Sequence, residues 1–348
     1  MDPLVSVCLP NLNTLPYLRE RVDTILGQTY KNWELVISDN YSSDGSWELF
    51  ENLARQDPRI FAAQASRQGM YANWNNCVRR AKGKYVYIAT SDDTMASDCL
   101  EKLVGALEEH SECDLAHCRL KTINERGGAV SFPVWPDCTV FAQDFPELAD
   151  RKHVRRAPFD GLLHLGGDMV YMSITELLIR RSLFERIGYF DSRWGSMGDR
   201  NWDMKAGLVA STVHVPDTWA SWRVHATNAS SGLRVYSAAH DDCIEEMIGD
   251  AVLRCEALLP PGVVAGLRTF WLGRSREMRR YYAGLRQRHG LGHRRLFQVS
   301  QVFRRGGSVR AEIAGRLWRR ARWPDRVSGE IRDWLESLGL GPTITCLS

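Results

Sequence analysis

The 348-residue chain is 44% hydrophobic and 25% charged, which supplies enough apolar mass for a sizeable core and excludes a disordered, charge-dominated chain. Its nine cysteines are scattered without a single Cys-x-x-Cys pair, which argues against a disulfide framework and against a zinc site. The formal net charge of +3 hides an asymmetry: residues 268–326 carry 17 arginines against Glu277, Glu312 and Asp325, a local balance of 17 − 3 = +14.

The chain opens on a β-rich run, Val5–Leu9, closed by Pro10, and then places Leu18, Val22, Ile25 and Leu26 on one helical stripe. A second strand is expected at Glu34–Ser38, followed by the turn-rich stretch Asp39-Asn40-Tyr41-Ser42-Ser43-Asp44-Gly45 and a helix from Trp47. Ile60–Gln64 reads as a third strand, Asn73–Ala81 as a third helix, and Lys84–Thr90 as a fourth strand stopping at Ser91-Asp92-Asp93. Strands alternating with helices predict an α/β fold with a mainly parallel sheet. Residues 125–172, broken by Pro133, Pro136, Pro146 and Pro158, read as an irregular insertion near an acceptor site. Periodicity returns with a strand at Ile174–Ile179, a helix at Arg181–Ile187, an aromatic loop to Gly198 and a helix from Asp199 to Val209. Beyond residue 236 the pattern reads as helices only, giving two regions, 1–236 and 237–348.

In open α/β sheets ligands bind beyond the carboxyl ends of the strands. Asn11, Asp39 and the Asp92-Asp93 pair all fall at such ends. Adjacent carboxylates there suit a hard divalent cation with open positions for phosphate. Taken one at a time, each of these acids reads equally well as a turn or cap residue; their ordered recurrence is the signal.

Several blocks together resemble the family 2 glycosyltransferases of the GT-A fold. Val5-Ser6-Val7-Cys8-Leu9-Pro10-Asn11-Leu12-Asn13 is similar to that family's first strand and P-x-Y-N turn, and Gln28-Thr29-Tyr30-Lys31-Asn32-Trp33-Glu34 to its Q-T-Y-x-N-x-E block. Asp39 to Ser46 resembles its Asp/Gly/Ser-rich loop, and Thr90-Ser91-Asp92-Asp93 its acidic motif, with Thr90 where the first acid usually stands. Phe184 to Asp191, Asp199 to Lys205, and Trp222-Arg223-Val224-His225 match later blocks, so the resemblance spans residues 4 to about 231.

The resemblance implies a nucleotide pocket lined by Pro10, Asn11, Asn13, Asp39, Asn40 and Asp92. It implies a Mg²⁺ or Mn²⁺ ion held directly by Asp93 with help from Asp92 and His225, and Asp199 as the base that deprotonates the acceptor. Trp194 and Trp222 are candidates to stack on an acceptor sugar. The expected activity is inverting transfer of a sugar from a nucleotide-diphosphate sugar to a hydroxyl of a glycan, glycolipid or small molecule. A catalytically silent sugar-nucleotide-binding protein and a nucleotidyltransferase stand as alternatives; the second lacks a Gly-rich phosphate loop with a following Lys. Met1-Asp2-Pro3 lacks signal-peptide character, so a cytoplasmic enzyme is expected. The arginine-rich segment suggests peripheral contact with an anionic membrane face. Nucleic acid is not an expected partner, because no recognition motif accompanies the charge.

Overall fold

A computed structural model describes residues 2–130, 139–166, 168–228, 238–267 and 327–347. The arginine-rich segment 268–326, and with it the expectation of membrane contact, lies outside the described residues. The first half follows the strand–helix alternation of the sequence: β1 (Val5–Asn11), α1 (Leu15–Leu26), β2 (Trp33–Asp39), α2 (Ser46–Gln56), β3 (Ile60–Gln64), α3 (Met70–Arg80) and β4 (Tyr85–Ile88). After α4 (Cys99–Glu109) come β5 (Cys113–Asn124), α5 (Val140–Asp144), β6 (His153–Arg155), α6 (Phe159–Leu165), β7 (Leu177–Arg180), α7 (Ser182–Ile187), α8 (Gly198–Val209) and β8 (Ser211–Val224). Helices α9 (Ala238–Cys255), α10 (Pro261–Gly266) and α11 (Val327–Ser337) precede a last strand, β9 (Ile344–Cys346).

All nine strands among the described residues belong to one sheet, ordered β3-β2-β1-β4-β7-β5-β8-β6-β9. The β3-β2-β1-β4 half is parallel, as expected, while β7, β6 and β9 run antiparallel to their neighbours and make the other half mixed. Alternation along β1 explains the layering. Val5, Val7 and Leu9 enter a core with Leu18, Val22 and Leu103 of α1 and α4, while Cys8 enters the opposite core with α3, α6, α7 and α8.

Two expectations change here. The 125–172 stretch is not an irregular insertion where it is described: β6 is wholly buried and pairs with β8, and α6 packs on α8. A three-residue strand and a seven-residue helix buried on every side show neither period 2 nor period 3.6. Nor are the described parts of 237–348 helical only, since β9 extends the central sheet from β6. Among the described residues no helix is long and apolar enough to cross a membrane.

Candidate active site

Strand order reverses between β1 and β4, so loops at their carboxyl ends open a crevice at a topological switch point. Its first wall is a knot between the loops after β1 and β2. The Asn11 amide donates to Asp39 Oδ1 (2.8 Å) and to Ser42 Oγ (3.0 Å), and Ser42 returns its hydroxyl and its backbone N–H to the Asp39 carboxylate (2.6 and 2.8 Å). Asn13, in the left-handed region at φ 55°, donates its N–H to Ser42 Oγ and accepts from the Ser43 N–H. Asn40 donates to the carbonyls of Ala65 and Ser66. The structure brings Pro10, Asn11, Asp39 and Asn40 together, and Asp39 is fully enclosed: its carboxylate orders the wall.

The acids after β4 differ in their surroundings. Asp93 is buried, and both its oxygens are engaged: Oδ1 accepts the Arg223 backbone N–H (2.6 Å) and Oδ2 accepts the Thr90 hydroxyl. Thr90, standing where an acid was expected, is thus a donor that satisfies Asp93. Burial, with the Asp92 charge beside it, pushes the Asp93 carboxyl up to about 8. Both Asp93 oxygens are thus occupied by partners of the chain itself. Asp92 is the more open carboxylate. Its Oδ2 lies 2.9 Å from His225 Nε2 and accepts weakly from the Asn228 amide at 3.5 Å.

His225 is held in turn by Thr227 Oγ1 at Nδ1 (2.9 Å) and by the Tyr17 ring, 4.8 Å between centroids. Sequence reasoning missed the residue that fixes this corner. The Arg223 guanidinium is fully buried and donates to the carbonyls of Asp92 (2.5 Å), Asn124 (3.0 Å) and Glu125 (3.2 Å) and to the Glu20 carboxylate (2.7 Å). Arg223 lies inside the Trp222–His225 block, so the signal was present without a role attached.

Helix α3 links the Asn11–Asp39 wall to the turn before α8. Asn73 donates to the carbonyls of Asn11 (3.2 Å) and Ser38 (3.0 Å), and two residues earlier Tyr71 donates its hydroxyl to the Ser196 carbonyl (3.2 Å) just before α8. Asp199 sits in the first turn of α8, where the helix dipole favours an anion. Burial raises its pKa, opposed by hydrogen bonds from the Tyr71 hydroxyl and the Arg200 N–H (2.8 Å). A carboxylate of raised pKa is a stronger base. Gly198 permits the approach, because a Cβ there would stand 2.6 Å from the Tyr71 ring. Trp194 is buried in the core with Arg193 stacked on it at 4.3 Å, so it has no face to offer an acceptor; Trp222 is half-buried on β8.

The fold is α/β, with acidic residues gathered at the carboxyl ends of the parallel half of its sheet. The profile described as "Glycosyl transferase family 2" matches residues 6–188, more than half of the chain, and the protein belongs to that family of glycosyltransferases. Glycosyltransferase GlyG of Streptococcus pneumoniae serotype 4 is 30% identical over 196 residues, 56% of this chain and 62% of GlyG. Glycosyltransferase EpsJ of Bacillus subtilis is 29% identical over 220 residues, 62% of this chain and 60% of EpsJ, so the chain spans under two thirds of either relative. Among solved structures, S. aureus TarS 1-349 in complex with UDP-GlcNAc is similar in fold, with a TM-score of 0.54 at 14% identity over 76% of this chain and 74% of TarS. That likeness shows the GT-A fold.

Proposed function

We propose that the protein transfers a sugar from a nucleotide-diphosphate sugar to a hydroxyl acceptor with inversion at the anomeric carbon, assisted by Mg²⁺ or Mn²⁺. The observation that carries the reading is the pairing of Asp92 with His225 at the switch point, beside the Asn11–Asn40 wall that α3 joins to the turn before Asp199. An oxygen and a nitrogen 2.9 Å apart fit adjacent positions around a cation with bonds of about 2.1 Å. When bound, the cation neutralises charge on the departing diphosphate. The chain's own residues do the rest: Arg223 and Thr90 fix the Asp92-Asp93 turn, the Asn11–Asn40 wall receives the nucleotide, and Asp199 accepts the proton of the acceptor hydroxyl.

The acceptor belongs to a glycan, a glycolipid or a small molecule. Contact of the 268–326 arginines with an anionic membrane face is part of this reading, supported by their charge. A similar protein, the GalNAc(5)-diNAcBac-PP-undecaprenol beta-1,3-glucosyltransferase of Campylobacter jejuni, 33% identical over 109 residues, carries a lipid-linked diphosphate in its name.

The test is Asp199→Asn, assayed for turnover and, by thermal shift with UDP-, GDP- and dTDP-sugars with and without Mn²⁺, for donor binding. Turnover should fall by about 10²–10⁴-fold while the metal-dependent shift persists. In the wild type the acid limb of the rate profile should lie above the ordinary carboxylate range, about 3.9, because only ionised Asp199 accepts a proton and burial raises its pKa. Turnover within a few-fold of wild type would remove Asp199 from the mechanism.

A further inference from the structure

Tyr41 is held in a conformation that the stability of the protein does not explain. It stands at φ 55°, and among the described residues the only other non-glycine with positive φ is Asn13, a residue type that adopts the left-handed region readily. A bulky aromatic does not. The loop nevertheless fixes it from several sides: the Arg67 guanidinium donates to the carbonyls of Asn40 (2.8 Å) and Tyr41 (2.7 Å), and the N–H of the next residue, Ser42, donates to Asp39. Strain that the surroundings over-determine is a mark of functional placement.

The ring gains little from this in return, since Tyr41 is 56% exposed. The loop after β1 carries a second large exposed apolar side chain, Leu12, at 43%. The Asn13–Ser42 and Asn13–Ser43 hydrogen bonds hold their two loops together at the carboxyl ends of β1 and β2. A planar ring on a rigid backbone loses little freedom when it meets another plane. We propose that Tyr41 stacks on the nucleobase of the donor and helps determine which nucleotide is accepted. The inference rests on the nucleotide-sugar reading above and gives it a base-contacting residue outside the acidic motif.

Calorimetric titration of the full chain with UDP, GDP and dTDP, and with inorganic pyrophosphate, each with Mn²⁺, tests it in the wild type, Tyr41→Asn and Tyr41→Phe. Asn tolerates the left-handed backbone, and Phe keeps the ring. Tyr41→Asn should weaken the preferred nucleotide about tenfold or more, leave pyrophosphate unchanged, and melt no lower than wild type because the strain is relieved. Tyr41→Phe should bind like wild type. Unchanged nucleotide affinity in Tyr41→Asn, or an equal loss for pyrophosphate, overturns the stacking role and leaves the donor reading standing. A defect confined to the acceptor KM places the ring against the acceptor and also overturns it. A wild type that binds no nucleoside diphosphate with metal defeats the donor reading itself, and the base contact with it.

Discussion

A buried guanidinium is costly unless its hydrogen bonds are made. Arg223 meets that condition by spanning three elements: its side chain reaches α1 through Glu20, the end of β5 through the Asn124 and Glu125 carbonyls, and the turn after β4 through Asp92. Its own N–H holds Asp93, and its guanidinium lies 5.2 Å from the Tyr17 ring that also packs His225. Lys cannot reproduce this fork, having one compact ammonium in place of a planar five-donor group. Arg223→Lys should therefore cost roughly 2–3 kcal/mol of stability, visible as an earlier denaturant midpoint. It should also weaken activation by Mn²⁺ more than it lowers saturated turnover, since the Asp92 turn loses its anchor. Unaltered metal activation in a destabilised variant would reduce Arg223 to a packing residue.

At the scale of elements, the position of Asp199 depends on how closely α8 lies on α6. The two helices meet at Gly161 and Gly207, where an added Cβ would stand 2.2 Å from the Leu208 nitrogen and 2.5 Å from the Gly161 nitrogen respectively. Those contacts are with backbone and cannot be relieved by a rotamer change. Gly207→Ala should destabilise the protein by at least about 1–3 kcal/mol and lower turnover by displacing the N-terminus of α8. A melting point and rate equal to wild type would mean that the helices separate freely. This crossing also shows what a sequence hides. The parallel β1–β4 strands, the acids at their ends and the helix bearing Asp199 were legible because each has a clear period and boundary. Strands β5 and β8 were not: they carry His117, Arg119, Lys121, His214 and Arg223 among their apolar residues, and tertiary partners rather than β-propensity decide their pairing. The different burial of Asp92 and Asp93 could not be read from sequence, because adjacent acids differ only in what the fold places beside them.

At the scale of the whole molecule, a layer of polar side chains lies inside the mixed half of the sheet. Arg155 donates to Asp160 (2.7 Å) and contacts His153 Nε2 (2.9 Å), the Tyr171 hydroxyl donates to Asp160 (2.7 Å), and His117 lies 3.1 Å from Glu176. His164 of α6 packs on Tyr171 with 4.9 Å between ring centroids, and neither of its ring nitrogens has a hydrogen-bond partner among the described residues. Burial holds its pKa down to about 3, so it stays neutral in the fold and takes up a proton on unfolding below the free imidazole value of about 6.5. The unfolded state then binds more protons than the native one. The His164 contribution to stability is full above pH about 6.5 and falls by about 1.4 kcal/mol per pH unit from there towards about pH 3. His164→Leu removes one buried pair of unsatisfied nitrogens at similar volume, which is near neutral or stabilising at pH 7. Its advantage over wild type should grow with acidity at that slope, read from urea midpoints between pH 7 and 5. Because both proteins keep every other titrating group, the difference isolates His164. A difference that does not change with pH would mean that the imidazole titrates in the fold as it does in the unfolded chain, and one that shrinks with acidity that it is already protonated in the native state.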